Sequence, residues 1–278
     1  IMSTRLLLKL VAVSQRPQVS HYSLAARDLS VLHANIDLPR VVVLTVWTHY
    51  PEMMRWQVAT LRAFLKTKSL LYLAVLNNEF AVHNERLERV ARSLSVHMYT
   101  IPSFVPGGPS ESHANALNHG LEHLRTATDF GQEDVLLLLD SHLFLTSHID
   151  LLSELNGSHI WSLVQIRDEI AYLWPNFSVF YFGANDTIDG STLFAELDFR
   201  MCQGYRRGIF DSGGCTAQFL DRHPELIMRP ATTTCTSAHP TAIQGDGSSL
   251  IASTCRFLAE QNAMLPTNDT RCAPAHTI

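Results

Sequence analysis

The chain has few cysteines, no long apolar run, no basic excess and none of the short motifs that mark common hydrolase and nucleotidase sites. Each absence excludes something. The five cysteines of the 278 residues, Cys202, Cys215, Cys235, Cys255 and Cys272, all fall late in the chain. None forms a C-x-x-C pair, so the spacing offers no structural zinc site, and an odd count leaves at least one thiol unpaired within the chain. Lys and Arg number 21 against 26 Asp and Glu, a net charge of −5. That balance gives no basic footprint, so nucleic acid is not an expected partner. No stretch approaches the ~18–20 apolar residues of a membrane span. Residues 2–14 run from basic to apolar but are too short and too interrupted to identify a signal peptide. G-x-S-x-G, H-E-x-x-H and the P-loop pattern are all missing, so hydrolase, zincin and NTPase readings lose support. No internal repeat is visible.

What is present suits one sizeable α/β core. Hydrophobic residues make up 46% of the chain, enough for one large domain or one domain plus an appendage. Residues 1–38 carry no clear period and read as an N-terminal extension. Residues 40–47, RVVVLTVW, form a first buried strand. A helix over 51–66 follows, with Pro51 suited to its first turn and Met54, Val58, Leu61 and Leu65 at helical spacing. Residues 69–76 are a second strand ending in Asn77-Asn78. A charged amphipathic helix spans 79–94, with Leu87, Val90, Ala91 and Leu94 as its apolar stripe. A short strand at 96–101, a Pro/Gly loop at 102–109 and a helix at 112–127 come next. This βαβαβαβ order predicts a mostly parallel sheet flanked by helices. Later, short strands are expected at 159–165 and 177–182 and a helix at 213–222. From about 231 to 278 the chain is rich in Ser, Thr and Pro and reads as weakly structured, with a short helix over 249–262.

The most informative stretch is Asp134-Val-Leu-Leu-Leu-Leu-Asp140-Ser-His142-Leu-Phe-Leu. A short apolar run ending in a carboxylate and an imidazole reads as a buried strand that delivers polar groups to its C-terminal edge. Ligands sit at that edge in open α/β sheets. Asp140 and His142 lie i, i+2 and can reach one ion if the chain bends after the strand. Such a pair suits Mn²⁺ or Zn²⁺ better than Ca²⁺. The bland alternative is a strand end that turns, with His142 a hydrogen-bonded edge histidine.

With Ser112-His-Ala-Asn-Ala-Leu-Asn118-His-Gly-Leu121 preceding it, this stretch resembles the nucleotide-binding half of GT-A glycosyltransferases over roughly residues 40–220. Asp140-Ser141-His142 is similar to the metal motif of the polypeptide N-acetylgalactosaminyltransferases, and the preceding helix to that of family 2-type enzymes. The resemblance implies a GT-A domain over residues 39–230. It implies transfer of a hexosyl or N-acetylhexosaminyl unit from a nucleotide-diphosphate donor, UDP-linked first, to an acceptor hydroxyl on a glycan, protein or lipid. It also implies Mn²⁺, or Mg²⁺, on Asp140 and His142, with Ser141 beside the ribose or a phosphate. Thr45, Trp47 and Thr48 would contact base and ribose, although Trp47 reads equally as a core aromatic. Asn77 or Asn78 would hold the base where the family carries an acidic residue. Asn118 would reach the donor, while Asn115 is better read as a solvated or capping side chain.

A second cluster is Phe210-Asp211-Ser-Gly-Gly214. Asp211 is the candidate base for the acceptor hydroxyl, with a helix N-cap as its alternative. Asp198 is a weaker competitor. His223 and His239 are candidate third metal ligands, and Trp174-Pro-Asn-Phe177 is either an acceptor wall or an ordinary turn. Two other functions stay open. Gly183-Ala-Asn185 superficially resembles a methyltransferase cofactor turn, and a GT-A-like domain without activity would bind sugar or protein. Four N-x-[ST] sequons, at Asn156, Asn176, Asn185 and Asn268, favour a secretory lumen such as the Golgi or ER over the cytoplasm.

Overall fold

A computed structural model of the chain describes residues 38–77, 81–102, 107–131, 133–167, 170–183, 190–205, 211–233, 242–244 and 249–253. The expectations for the N-terminal extension, Asn78, the 184–189 turn with its sequon, Phe210, His239, Asn268 and the three last cysteines lie outside those residues.

The main sheet has seven strands in the order β3-β2-β1-β4-β7-β6-β8. These are β1 (Arg40–Trp47), β2 (Ser69–Leu76), β3 (His97–Thr100), β4 (Val135–Leu139), β6 (Ile160–Arg167), β7 (Ile170–Phe180) and β8 (Met228–Pro230). β7 alone runs against its neighbours, pairing antiparallel with both β4 and β6, so the sheet is mostly parallel. β1, β2 and β4 stand where the hydrophobic pattern puts them, because each is a short apolar run buried on both faces, while β3 is a half-exposed edge strand. Helices α1 (Pro51–Phe64), α2 (Ala81–Ser93) and α3 (Pro109–Ala127) alternate with them. Shorter helices α4 (Leu151–Leu155), α5 (Gly190–Glu196) and α6 (Thr216–Arg222) follow β4.

Side-chain parity splits the core in two. Val41, Val43, Val135, Leu137 and Leu139 face α1, α2 and α4, in one cluster with Met54, Val58, Leu61 and Leu87. Val42, Leu44, Leu136 and Leu138 face α3, α5 and α6, packed with Leu117, Leu121, Phe194 and Phe219. This alternation is the period of two of a strand covered on both sides. α3 lies very close to the sheet at Gly120, where a Cβ would stand 2.7 Å from both Leu44 and Val75 methyls. At the N-terminal edge, Arg40 is ion-paired with Asp134 and Asp129, which ties β1 to the start of β4.

Two later expectations need correction. Residues 174–177 do not form a turn. They lie inside β7, at a register irregularity where Ser162 pairs Ser178 but Leu163 pairs Trp174. Pro175 sits in this bulge, where no ladder donor is required. Residues 249–253 are not helical. They form strand β11 (Ser249–Ser253) of a second, antiparallel sheet ordered β5-β11-β10-β9, with β5 (Leu143–Leu145), β9 (Thr232–Thr233) and β10 (Ala242–Gln244). β11 pairs with β5 directly after the Asp140–His142 turn. An available strand edge overrides the weak local helical preference of SLIAS.

Candidate active site

The chain passes from β1 through β2 to β3 on one side and then places β4 on the other side of β1. The C-terminal edge between β1 and β4 is therefore a topological switch point, where α/β sheets hold ligands. Thr48 follows β1 there, and Asp140-Ser-His142 follows β4. β6 runs parallel to β4, so Arg167 at its end reaches the same edge.

Asp140 closes β4, and its backbone N–H donates to the Asn176 carbonyl at 2.8 Å. The β7 bulge thus sets the point at which the chain leaves the sheet. The Asp140 carboxylate accepts from the His142 backbone N–H at 2.8 Å and meets His142 Nδ1 at 2.8 Å. Ser141 Oγ lies 3.1 Å from the same ring nitrogen. Burial pushes the Asp140 carboxyl up, but the hydrogen bonds and charge of His142, with His113 beyond, outweigh it and hold it below the usual carboxylate range. Asp140 is therefore ionised, and the turn gathers a carboxylate, an imidazole and a hydroxyl.

Two residues from distant parts of the chain join them. His113, in the first turns of α3, has its pKa lowered by burial, against the opposing pull of Asp140 and Asp211 and with the repulsion of His142. α3 begins after the C-terminal end of β3, so His113 lies toward the same edge of the sheet. Asp211 brings its carboxylate within 3.5 Å of Arg167 and accepts from the Ser212 N–H at 2.8 Å. It is not the cap of α6. That helix starts at Thr216 after Cys215, with no side-chain cap.

The turn that carries Asp211 is fastened from several sides. Gly213 N–H donates to Phe199 O at 2.6 Å, and Thr216 Oγ1 accepts from Leu173 N–H at 2.8 Å. Gly213 has φ of +93°, and a Cβ there would lie 2.1 Å from the Leu173 carbonyl, so only glycine fits. A disulfide joins Cys202 to Cys215 across this turn.

The other expected residues are placed as follows. Thr45 and Trp47 are 0% and 1% exposed. The Trp47 indole donates to Tyr72 OH at 3.0 Å and Thr45 Oγ1 donates to Gln57 at 3.2 Å. Direct contact with a base or ribose is replaced by core hydrogen bonding, because both alternate onto the α1 face of the sheet. Thr48 stays at the edge, 2.5 Å from His49 Nδ1. Asn77 is buried and donates to Ser112 Oγ at 2.6 Å. Asn118 bridges Asp198 at 3.0 Å and the Phe199 N–H at 3.0 Å, which anchors the 198–200 segment to α3. Asp198 is held by Arg200 as well. His223 stands between Glu196 and Glu225, 3.0 and 3.2 Å away, at the end of α6.

Among the described residues, no three His, Cys, Asp or Glu side chains are arranged to hold a metal ion. A carboxylate beside an imidazole, as in Asp140 and His142, is a donor set that suits Mn²⁺ or Zn²⁺ better than a hard ion such as Ca²⁺, with phosphate and water left to complete the coordination. Sequence reasoning missed Gln57, His113 and Arg167. Gln57 alone left a signal: a polar residue within the apolar stripe of α1, between Met54 and Val58.

No protein-family model matches the chain, and no curated protein matches it. Among solved structures it is similar to the mannosyltransferase PcManGT from Pyrobaculum calidifontis, in complex with GDP-Man and Mn²⁺. The identity is 10%, the TM-score is 0.46, and the match covers 82% of this chain and 66% of that one, just under two thirds of its length. The architecture is mixed α/β, a mostly parallel seven-stranded sheet flanked by helices. No helix among the described residues is long and apolar enough to cross a membrane.

Proposed function

We propose that the chain is a glycosyltransferase that moves a sugar from a nucleotide-diphosphate donor to an acceptor hydroxyl. The observation that carries this reading is the Asp140-Ser-His142 turn at the C-terminal end of β4, which sets a carboxylate and an imidazole 2.8 Å apart at the switch point. The resemblance of Asp140-Ser141-His142 to a GT-A metal motif supports the same reading.

Asp140 and His142 would hold Mn²⁺ or Mg²⁺, which neutralises charge on the diphosphate when bound. Ser141 and Thr48 offer hydroxyls to the phosphates and ribose from either side of the switch point. Asp211 accepts the proton of the acceptor hydroxyl as its oxygen bonds to the anomeric carbon and the diphosphate departs. Arg167 orients the Asp211 carboxylate from β6. A UDP donor, a hexosyl or N-acetylhexosaminyl unit and a secretory setting belong to the proposal, the last favoured by the Cys202–Cys215 disulfide. A glycosyltransferase domain over 39–230, preceded and followed by non-catalytic segments, is the matching domain division.

A panel of nucleotide sugars tested by thermal shift with Mn²⁺ checks this directly, since a ligand at 100 times its Kd stabilises by about 2.7 kcal/mol. One or more donors should raise Tm only with the metal, and Asp140→Ala should abolish the shift while His142→Ala weakens it. An unchanged metal-dependent affinity in Asp140→Ala, measured by calorimetry, ends the reading.

A further inference from the structure

Gln57 is fully buried on α1, 0% exposed. Its amide N–H groups donate to Asp140 O at 2.8 Å and to Leu143 O at 2.8 Å. Its Oε1 accepts from Tyr72 OH at 2.6 Å and from Thr45 Oγ1 at 3.2 Å. Tyr72 OH accepts in turn from Trp47 Nε1 at 3.0 Å. Every hydrogen-bonding group of this amide is used, with one end fixed in β1 and β2. The other end grips the two carbonyls that bracket Ser141 and His142.

Within the turn, His142 Nδ1 meets the Asp140 carboxylate at 2.8 Å and Ser141 Oγ at 3.1 Å. Leu143 N–H donates to Asp140 O at 3.0 Å, and the His142 N–H donates to the Asp140 carboxylate. The second of these bonds uses the carboxylate that a ligand would engage. A buried amide on an apolar stripe is costly unless every partner is present, and when satisfied it dictates one local conformation. Leucine or methionine at this position would pack α1 equally well but would leave the turn undefined.

We infer that Gln57, backed by Tyr72, is the positioning residue of the Asp140-Ser-His142 turn, fixing the spacing of the carboxylate and imidazole that receive a metal-bound diphosphate. The inference rests on reading that turn as the diphosphate site. It assigns Thr45 and Trp47 an indirect role, as the far anchors of the same network.

The test compares Gln57→Met and Tyr72→Phe with Ser162→Ala, which removes a buried hydroxyl bond between β6 and β7. Two readouts are taken: amide hydrogen exchange at His142 and Leu143, and calorimetric affinity for Mn²⁺ with inorganic pyrophosphate. Gln57→Met should speed exchange at these amides and weaken pyrophosphate binding, each by about tenfold, the scale expected when a group that orients metal ligands is lost. Tyr72→Phe should do the same to a lesser degree, and Ser162→Ala should change neither. Wild-type exchange and affinity in a folded Gln57→Met overturn the inference. If Gln57→Met does not fold, Tyr72→Phe decides on the same two readouts. If wild type and Asp140→Ala bind pyrophosphate alike, the functional reading fails and the ligand role of Gln57 falls with it. Loss of binding in Asp140→Ala with none in Gln57→Met sinks the positioning role alone.

Discussion

Replacing Asp211 by Asn separates catalysis from structure more cleanly than any other single change at this site. Asn keeps the size of the side chain and an oxygen for the Ser212 N–H, 2.8 Å away. The bond from the Gly214 N–H to the Asp211 carbonyl is a backbone contact and is untouched. What is lost is the ion pair with Arg167, 3.5 Å long between side chains 44% and 26% exposed. A pair so exposed contributes at most about 1 kcal/mol. No helix cap is lost, because α6 begins after Cys215. Loss of a general base instead slows turnover by about 10²–10⁴, or roughly 2.7–5.5 kcal/mol in the barrier. The expected result is a protein with nearly unchanged Tm and donor affinity and a turnover reduced at least about a hundredfold. Both are measured on the nucleotide sugar that thermal shift selects, by release of nucleoside diphosphate. A folded Asp211→Asn variant with near-normal turnover refutes the assignment and leaves a retaining mechanism, which requires no such base, as the better account.

Four further outcomes are expected. Gly213→Ala should destabilise by more than about 2 kcal/mol in chemical denaturation, since the left-handed backbone alone costs an L-residue about 1–2 kcal/mol and the new Cβ meets a backbone carbonyl at 2.1 Å. Gly120→Ala should cost less, about 1–3 kcal/mol at most, because its clashes are with the methyl ends of Leu44 and Val75; the reverse order would show that the close approach of α3 is the more rigid of the two. Metal-free Tm should rise with pH from acid toward neutrality. Asp140 and Asp198 lie below their ordinary values, so their contributions are present above about pH 3.9 and fade as pH falls through the lower folded values. His113 is also lowered, so its contribution is present above its ordinary value of about 6.5 and is lost as pH drops below it. His113→Asn should flatten the Tm curve just below pH 6.5, and an unchanged slope there would show that His113 is not held in its neutral form.

The strands that build the switch point were legible because each is an apolar run with polar punctuation at its C-terminal end. Arg40–Trp47, Ser69–Leu76 and Val135–Leu139 stand as written, and with them the position of Asp140 and His142. Legibility stopped where local pattern and tertiary pairing diverge. Nothing in Trp174-Pro-Asn-Phe marks it as the middle of an eleven-residue strand, because a bulge hides both the period of two and the expected exclusion of proline. The SLIAS segment depends on the edge of β5, more than a hundred residues earlier. Thr45 and Trp47 show the same limit at a finer scale. Their place at a strand end suggests a ligand, yet the parity of β1 turns both onto the α1 face.

That parity also explains why the residues nearest the chemistry in sequence are not all nearest in space. Odd-numbered residues of β1 point at α1, where Gln57 collects Thr45 directly and Trp47 through Tyr72. The strand end therefore contributes through a buried network that terminates on the Asp140 and Leu143 carbonyls. On the opposite face lies α3, whose Asn118 is committed to Asp198 and Phe199. The carboxylate competitors separate on the same grounds. Asp198 is bound up in Arg200 and Asn118, whereas Asp211 meets Arg167 at the end of β6 and the Tyr172 hydroxyl near the start of β7. A base must share the reacting atoms with the group that holds the leaving diphosphate. By that criterion the place of Asp211 beside Arg167, at the end of β6, supports proposing it as the base ahead of Asp198.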